Sequence, residues 1–200
     1  MSLEKFLNSE EIKKFKAVKT IFEYSINKYN INANQIIDCC SGNGFFGLDL
    51  LSNNFKYEVL AIDIERTKKA RKIYDYFKKN NPVKVQKYRF KKIDILKEKF
   101  PKINNGLIVG IHTCGILTDK IIEVSVKQNT PFIILPCCYN KNRHYFENSG
   151  QFYENAEESI HMNRINYLIK NNVHIEENII KTIKAPMNKA LIGILKTSNQ

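Results

Sequence analysis

The chain has 200 residues and a formal net charge of +12, from 32 Lys and Arg against 20 Asp and Glu. That length suits one ordinary domain with a real core, and no stretch is long and apolar enough to suggest a membrane span. The charge invites a nucleic-acid partner, but 27 of the cations are Lys and only 5 are Arg, beside 28 Ile and 24 Asn; this bias fits an AT-rich genome and leaves few side chains suited to bidentate phosphate contact.

The charged start, MSLEKFLNSEEIKKF, lacks a signal-like apolar region, so a cytoplasmic protein is expected. Five cysteines without an export signal are expected as reduced thiols rather than a disulfide framework.

In chain order, the spacing of Ile12, Phe15, Val18, Phe22 and Ile26 predicts an amphipathic helix over 10–29. A first strand follows at 35–39, then a glycine-rich turn and a helix near 45–52. A second strand covers 58–64, and a helix over 66–79 closes at Asn80-Asn81-Pro82. The third strand falls within 83–95 and the fourth at 106–112, followed by a helix at 117–127. A fifth strand at 131–135 leads into a polar and aromatic segment, 139–155. A helix near 157–171 precedes two terminal strands, near 174–183 and 189–196, joined as a hairpin through Ala185-Pro186-Met187-Asn188. Alternating helices and strands predict an α/β fold: a doubly wound, mostly parallel sheet with helices on both faces. The expected organisation is a single domain over 1–200, with a helical cover over 1–30 and a core over 35–196.

The most informative stretch is Asp38-Cys39-Cys40-Ser41-Gly42-Asn43-Gly44-Phe45-Phe46-Gly47, which holds a G-x-G-x-x-G between a strand and a helix. Glycines there permit a tight turn and let a ligand approach the backbone. Asp63 closes the next strand, 19 residues after Gly44, where a carboxylate can accept both hydroxyls of an adenosine ribose. A dinucleotide and S-adenosylmethionine both fit such a site. Asp38, at the end of the first strand, suits a cationic amino-acid group and is unhelpful beside a pyrophosphate. A long helix precedes the first strand, and Lys92-Ile93-Asp94-Ile95 sets a carboxylate near the place of an adenine amino group. These features favour S-adenosylmethionine.

At this point the sequence resembles class I S-adenosylmethionine-dependent methyltransferases, with Cys40 where that family usually has its first glycine. The resemblance implies a Rossmann-like, seven-stranded sheet with an antiparallel terminal strand. It also implies a cofactor site at Asp38, Cys40, Gly42, Gly44, Asp63, Asp94, Ile95 and His112. Two further motifs, His112-Thr113-Cys114-Gly115-Ile116-Leu117-Thr118-Asp119 and Cys137-Cys138-Tyr139, end the fourth and fifth strands. They resemble a methyltransferase family with HxCG and CC motifs at those places, which includes tRNA acceptor-stem ribose methyltransferases and several methyltransferase-like proteins. All five cysteines and His112 are then expected on one rim, where ligands of doubly wound sheets bind. His112 is the candidate base, and Tyr139 the residue that orients or stacks on the acceptor. A metal site built from Cys114, Cys137, Cys138 and His112 is disfavoured, because adjacent strand residues point to opposite faces; no metal is expected. An RNA acceptor, with a tRNA ribose hydroxyl as a candidate atom, leads; a protein side chain or small molecule, and a non-catalytic cofactor-binding module, are the alternatives. Lys13, Lys14, Lys16 and Lys19 on the first helix are the better-placed candidate RNA contacts. The basic run from Lys84 to Lys102, with Arg66, Lys68, Lys69, Arg71 and Lys72 before it, flanks the sheet edge far from the acceptor pocket. It reads first as a solvated face, with a distal RNA track as the alternative, and 139–153 is a stacking loop or a lid.

Overall fold

The structure, a computed structural model, describes residues 3–53, 56–139, 155–181, 183 and 188–195, with 137 and 138 as backbone only. Seven strands form one sheet: β1 (Gln35–Cys39), β2 (Glu58–Asp63), β3 (Tyr88–Lys92), β4 (Gly106–Cys114), β5 (Phe132–Cys138), β6 (His174–Ile179) and β7 (Lys189–Ile194). Their order is β3-β2-β1-β4-β5-β7-β6. The first five pair in parallel, and β7 runs antiparallel to both β5 and β6. The expected terminal hairpin is present as the β6–β7 pair, but its second strand, not its first, joins the parallel sheet. Residues 185–187 of the expected turn lie outside the described residues.

Among the described residues, five α-helices cover the sheet: α1 (Ser9–Lys28), α2 (Phe45–Asn53), α3 (Lys68–Asn80), α4 (Ile116–Lys127) and α5 (Ala156–Lys170). A reciprocal capping box starts α1: the Glu11 N–H donates to Asn8 Oδ1 and the Asn8 N–H to Glu11 Oε2, each at 2.8 Å. Phe15, Val18 and Phe22 of α1 pack with Phe46 and Leu51 of α2 and Ile73 and Phe77 of α3 on one face of the sheet. Ile121 and Ile122 of α4 and Ile165 and Leu168 of α5 pack on the other. Alternation along β1 sends Ile36 to the first cluster and Ile37 and Cys39 to the second, so Asp38 falls on the face that α2 covers.

A buried ion pair ties α5 to the β4–α4 junction. The Arg164 Nε donates to Asp119 Oδ1 at 2.7 Å with both side chains fully buried, and Arg164 Nη2 donates to the Gly115 carbonyl at 3.1 Å. Removing either partner would strand a buried charge. Among the described residues, no helix is long and apolar enough to cross a membrane.

β4 and β5 run further than their sequences suggested. The register passes from Ile111↔Leu135 to Thr113↔Pro136, skipping His112, and then to Cys114↔Cys138. His112 is thus the extra residue of a bulge, with φ +60°. Bulges re-aim a side chain, and they recur beside active sites.

Candidate active site

The site grows from the carboxyl end of β1. Asp38 is only 2% exposed, and its Oδ2 has no hydrogen-bond partner. Burial pushes its carboxyl up to about 7; the Gly47 N–H opposes this and the charge of Asp63 adds to it. α2 can approach this closely only because residue 47 is glycine. A Cβ there would meet Val59 Cγ1 at 2.6 Å and Asp38 Oδ2 at 3.4 Å.

Between β1 and α2 the chain turns through three left-handed residues, Cys40 (φ +56°), Gly42 (φ +54°) and Gly44 (φ +68°). Cys40 therefore adopts the backbone that the family's usual glycine would adopt freely. Burial, then the charges of Asp63 and Asp38, push its thiol up to about 12. Cys39 is fully buried and its thiol is raised well above the ordinary value by the same desolvation. Neither thiol is poised as a free thiolate nucleophile.

A cavity of about 300 Å³ opens between this turn and α1, lined by Glu11, Lys14 and Phe15 on one side and Asp38, Asn43 and His112 on the other. Cys40, Ser41 and Gly42 also face it. Burial, then the nearby Lys14 ammonium, hold the His112 imidazole below its ordinary value, while Glu10 and Glu11 pull the other way. His112 is therefore neutral at physiological pH and able to accept a proton.

Asp63 sits at the outer edge of the turn: its Oδ2 accepts from the Gly42 N–H at 2.8 Å and its Oδ1 from the Ile64 N–H at 2.7 Å. The next residue, Ile64, is 59% exposed. Past β3, Asp94 Oδ1 accepts from the Leu96 N–H, and its Oδ2 pairs with Lys97 at 3.5 Å. Ile95 is buried with Phe100 and Ile103, so its side chain belongs to the core. Asp38, Cys40, Gly42 and His112 thus meet at one cavity; Asp63 borders it, while Asp94 and Ile95 stand apart from its lining.

Tyr139 does not line that cavity. Its ring stands 5.3 Å from the Arg164 guanidinium and 6.3 Å from the His161 ring, and its hydroxyl is buried without a partner. Beside it, His161 Nε2 pairs with Glu177 Oε2 at 2.5 Å. This polar floor escaped the sequence reading, because its members come from α5 and β6; Asp119 of the HxCG motif was the one available signal.

The expected rim of reduced thiols needs correction at Cys114, which is disulfide-bonded; the register shift at His112 extends β4 so that Cys114 stands against β5. The side chains of Cys137 and Cys138, and the expected stacking loop from 140 to 153, lie outside the described residues. Among the described residues no three His, Cys, Asp or Glu side chains gather as a metal-holding set.

Of the first-helix lysines, Lys14 pairs with Glu10, Lys16 with Glu4 and Lys19 with Asp49, and Lys13 is exposed. Lys68, Arg71, Lys72 and Lys79 lie exposed along α3, and Lys91 and Lys92 end β3.

A family model described as a methyltransferase domain matches residues 10–144. Among curated proteins, the human glutathione S-transferase C-terminal domain-containing protein is 29% identical over 132 residues, covering 64% of this chain and 20% of that relative. The Xenopus laevis protein of the same name is 25% identical over 138 residues, with the same coverage. The chain therefore spans about a fifth of these relatives. Among solved structures, the methyltransferase domain of bacterial CtHen1-C superposes with a TM-score of 0.63 at 12% identity, covering 92% of this chain and 98% of that one. Magnesium protoporphyrin IX methyltransferase from Synechocystis PCC 6803 with bound SAM superposes at 0.60 and 12% identity, covering 92% and 81%. These similarities show a shared Rossmann-like fold.

Proposed function

The chain belongs to the methyltransferase-domain family, and from that premise we propose that it is an S-adenosylmethionine-dependent methyltransferase whose acceptor is an RNA. The observation that carries the cofactor reading is Asp38: a buried carboxylate oxygen without a partner, facing a cavity, calls for a cationic ligand group. The ammonium of the cofactor's amino-acid end is such a group. When bound, the cofactor supplies an electrophilic methyl group on a sulfonium.

The remaining roles fall to this chain's own residues. Asp63 keeps acceptor capacity on both oxygens beyond its two backbone bonds, and takes the ribose hydroxyls. Cys40, Gly42 and Gly44 keep the turn compact against the ligand. Asp94 and the Ile95 backbone serve the adenine edge. His112, neutral and aimed into the cavity by its bulge, removes the proton of the acceptor hydroxyl. Tyr139, its ring engaged on Arg164 and its hydroxyl buried outside the cavity, backs the β4–α4 junction and makes no contact with the acceptor.

The RNA reading, with a ribose hydroxyl as the atom methylated, is supported by the exposed cations of α3 and β3 within a chain of net charge +12. The ion-paired lysines of α1 contribute less to it than their sequence positions suggested. The test is incubation with methyl-labelled cofactor and fractionated extract. Label in RNA is expected. Label confined to protein or to small molecules would overturn the acceptor assignment, and cofactor binding without label in any pool would favour a non-catalytic module.

A further inference from the structure

The same cavity carries a second charged pole. Its lining includes two acids and one ammonium: Asp38, Glu11 and Lys14. Glu11 is already neutralised from outside, since Lys69 Nζ reaches its Oε1 at 2.7 Å and its Oε2 at 2.9 Å. Lys14 is held differently. Its side chain is only 18% exposed, while its ion-pair partner among the described residues, Glu10, is 72% exposed one helical turn away. A pair of that kind at the surface is weak and exchangeable. Facing the same cavity, Ser41 has a buried hydroxyl with no hydrogen-bond partner.

The backbone offers an anion little alternative here. The Ser41 N–H donates to the Ile62 carbonyl, the Gly42 N–H to Asp63, the Gly44 N–H to the Ser41 carbonyl and the Phe45 N–H to Asn43 Oδ1. The start of α2 is thus largely satisfied from within, so an anion must draw on side chains.

We infer that Lys14 and Ser41 hold the carboxylate of the ligand's amino-acid end, opposite Asp38, so that the cavity selects a zwitterion. This rests on the cofactor reading above. On binding, the Lys14 ammonium exchanges Glu10 for the ligand carboxylate, and the Ser41 hydroxyl gains the acceptor it lacks. α1 thereby becomes part of the binding site rather than a cover over it.

Calorimetry with two probes tests this. S-adenosylhomocysteine carries both amine and carboxylate, and S-adenosyl-3-thiopropylamine carries the amine alone. Lys14→Met keeps the apolar stem and removes the charge. It should weaken S-adenosylhomocysteine about ten- to a hundredfold, the scale of one charged hydrogen bond, and leave the amine probe unchanged. Ser41→Ala should show the same selectivity with a smaller loss, and Lys14→Arg should restore most of the affinity. Equal effects on both probes, or no effect on either, in variants whose melting matches the parent would overturn the assignment while leaving the cofactor reading standing. A wild-type protein that binds neither probe would overturn both.

Discussion

Asp38 is a side chain that the unliganded protein keeps at a cost. Its carboxyl has an ordinary value of 3.8 and stands near 7 in the fold because burial disfavours the charge. The folded state therefore binds this proton more tightly than the unfolded chain. The resulting stabilisation is complete below about pH 4 and is lost as pH rises through about 7. Asp38→Asn should melt like the parent at pH 4 and become more stable at pH 8, by on the order of 1–4 kcal/mol, while losing affinity for S-adenosylhomocysteine. Identical melting differences at the two pH values would refute this account of Asp38. His112 carries a different strain, a left-handed backbone without a glycine. Such strain persists where surrounding structure imposes it, often at reacting centres. His112→Gln is expected to slow methyl transfer about 10²–10⁴-fold, the contribution of a positioned base, with cofactor affinity within a few-fold of the parent. The parent's rate should fall only as pH drops through a midpoint below the usual 6.5 of histidine, since the imidazole is shifted down. A loss of cofactor binding equal to the loss of rate would remove His112 from the chemistry.

At the scale of elements, the turn from β1 into α2 concentrates the constraints. Gly44 combines φ +68° with a Cβ position 2.5 Å from the Tyr88 hydroxyl, so both backbone and neighbour resist a side chain. Gly44→Val should cost roughly 1–2 kcal/mol for the left-handed backbone plus displacement of Tyr88, and abolish binding of S-adenosylhomocysteine in a chain that still folds. Calorimetry on the folded variant checks this; unchanged affinity would place the ligand elsewhere. The glycine motif was legible in sequence because glycine alone tolerates such turns cheaply. The bulge in β4 was not legible: His112 is an ordinary residue in an apolar strand, and only pairing with β5 shows that one residue is skipped.

Across the whole molecule, charge is uneven in use rather than in number. Arg66 lies over Tyr74 at 4.1 Å, Arg89 pairs with Glu58, and Arg164 is buried against Asp119. The described cations placed to follow a phosphate backbone include Lys68, Arg71, Lys72 and Lys79 of α3 and Lys91 and Lys92 of β3. RNA affinity should fall steeply with salt, and Lys68→Glu with Lys72→Glu should reduce it further without changing cofactor affinity. A filter-binding series between 50 and 200 mM salt reads this out; a flat salt response would remove RNA as the acceptor.

The alternation of helices and strands, the glycine turn and the carboxylates Asp38 and Asp63 were all present in the linear order, because local periodicity, turn chemistry and spacing from a strand end are local properties. On those, the sequence by itself determined the α/β class, the parallel core and the kind of ligand the turn admits. Tertiary structure alone decided the rest. It set β7 inside β6 and buried Ile95 while leaving Ile64 exposed. It engaged Tyr139 with Arg164 outside the cavity, and it brought Lys14 across to Asp38 and His112. These outcomes depend on which faces meet after the chain has doubled back, and residues far apart in sequence carry no local mark of the neighbour they will find.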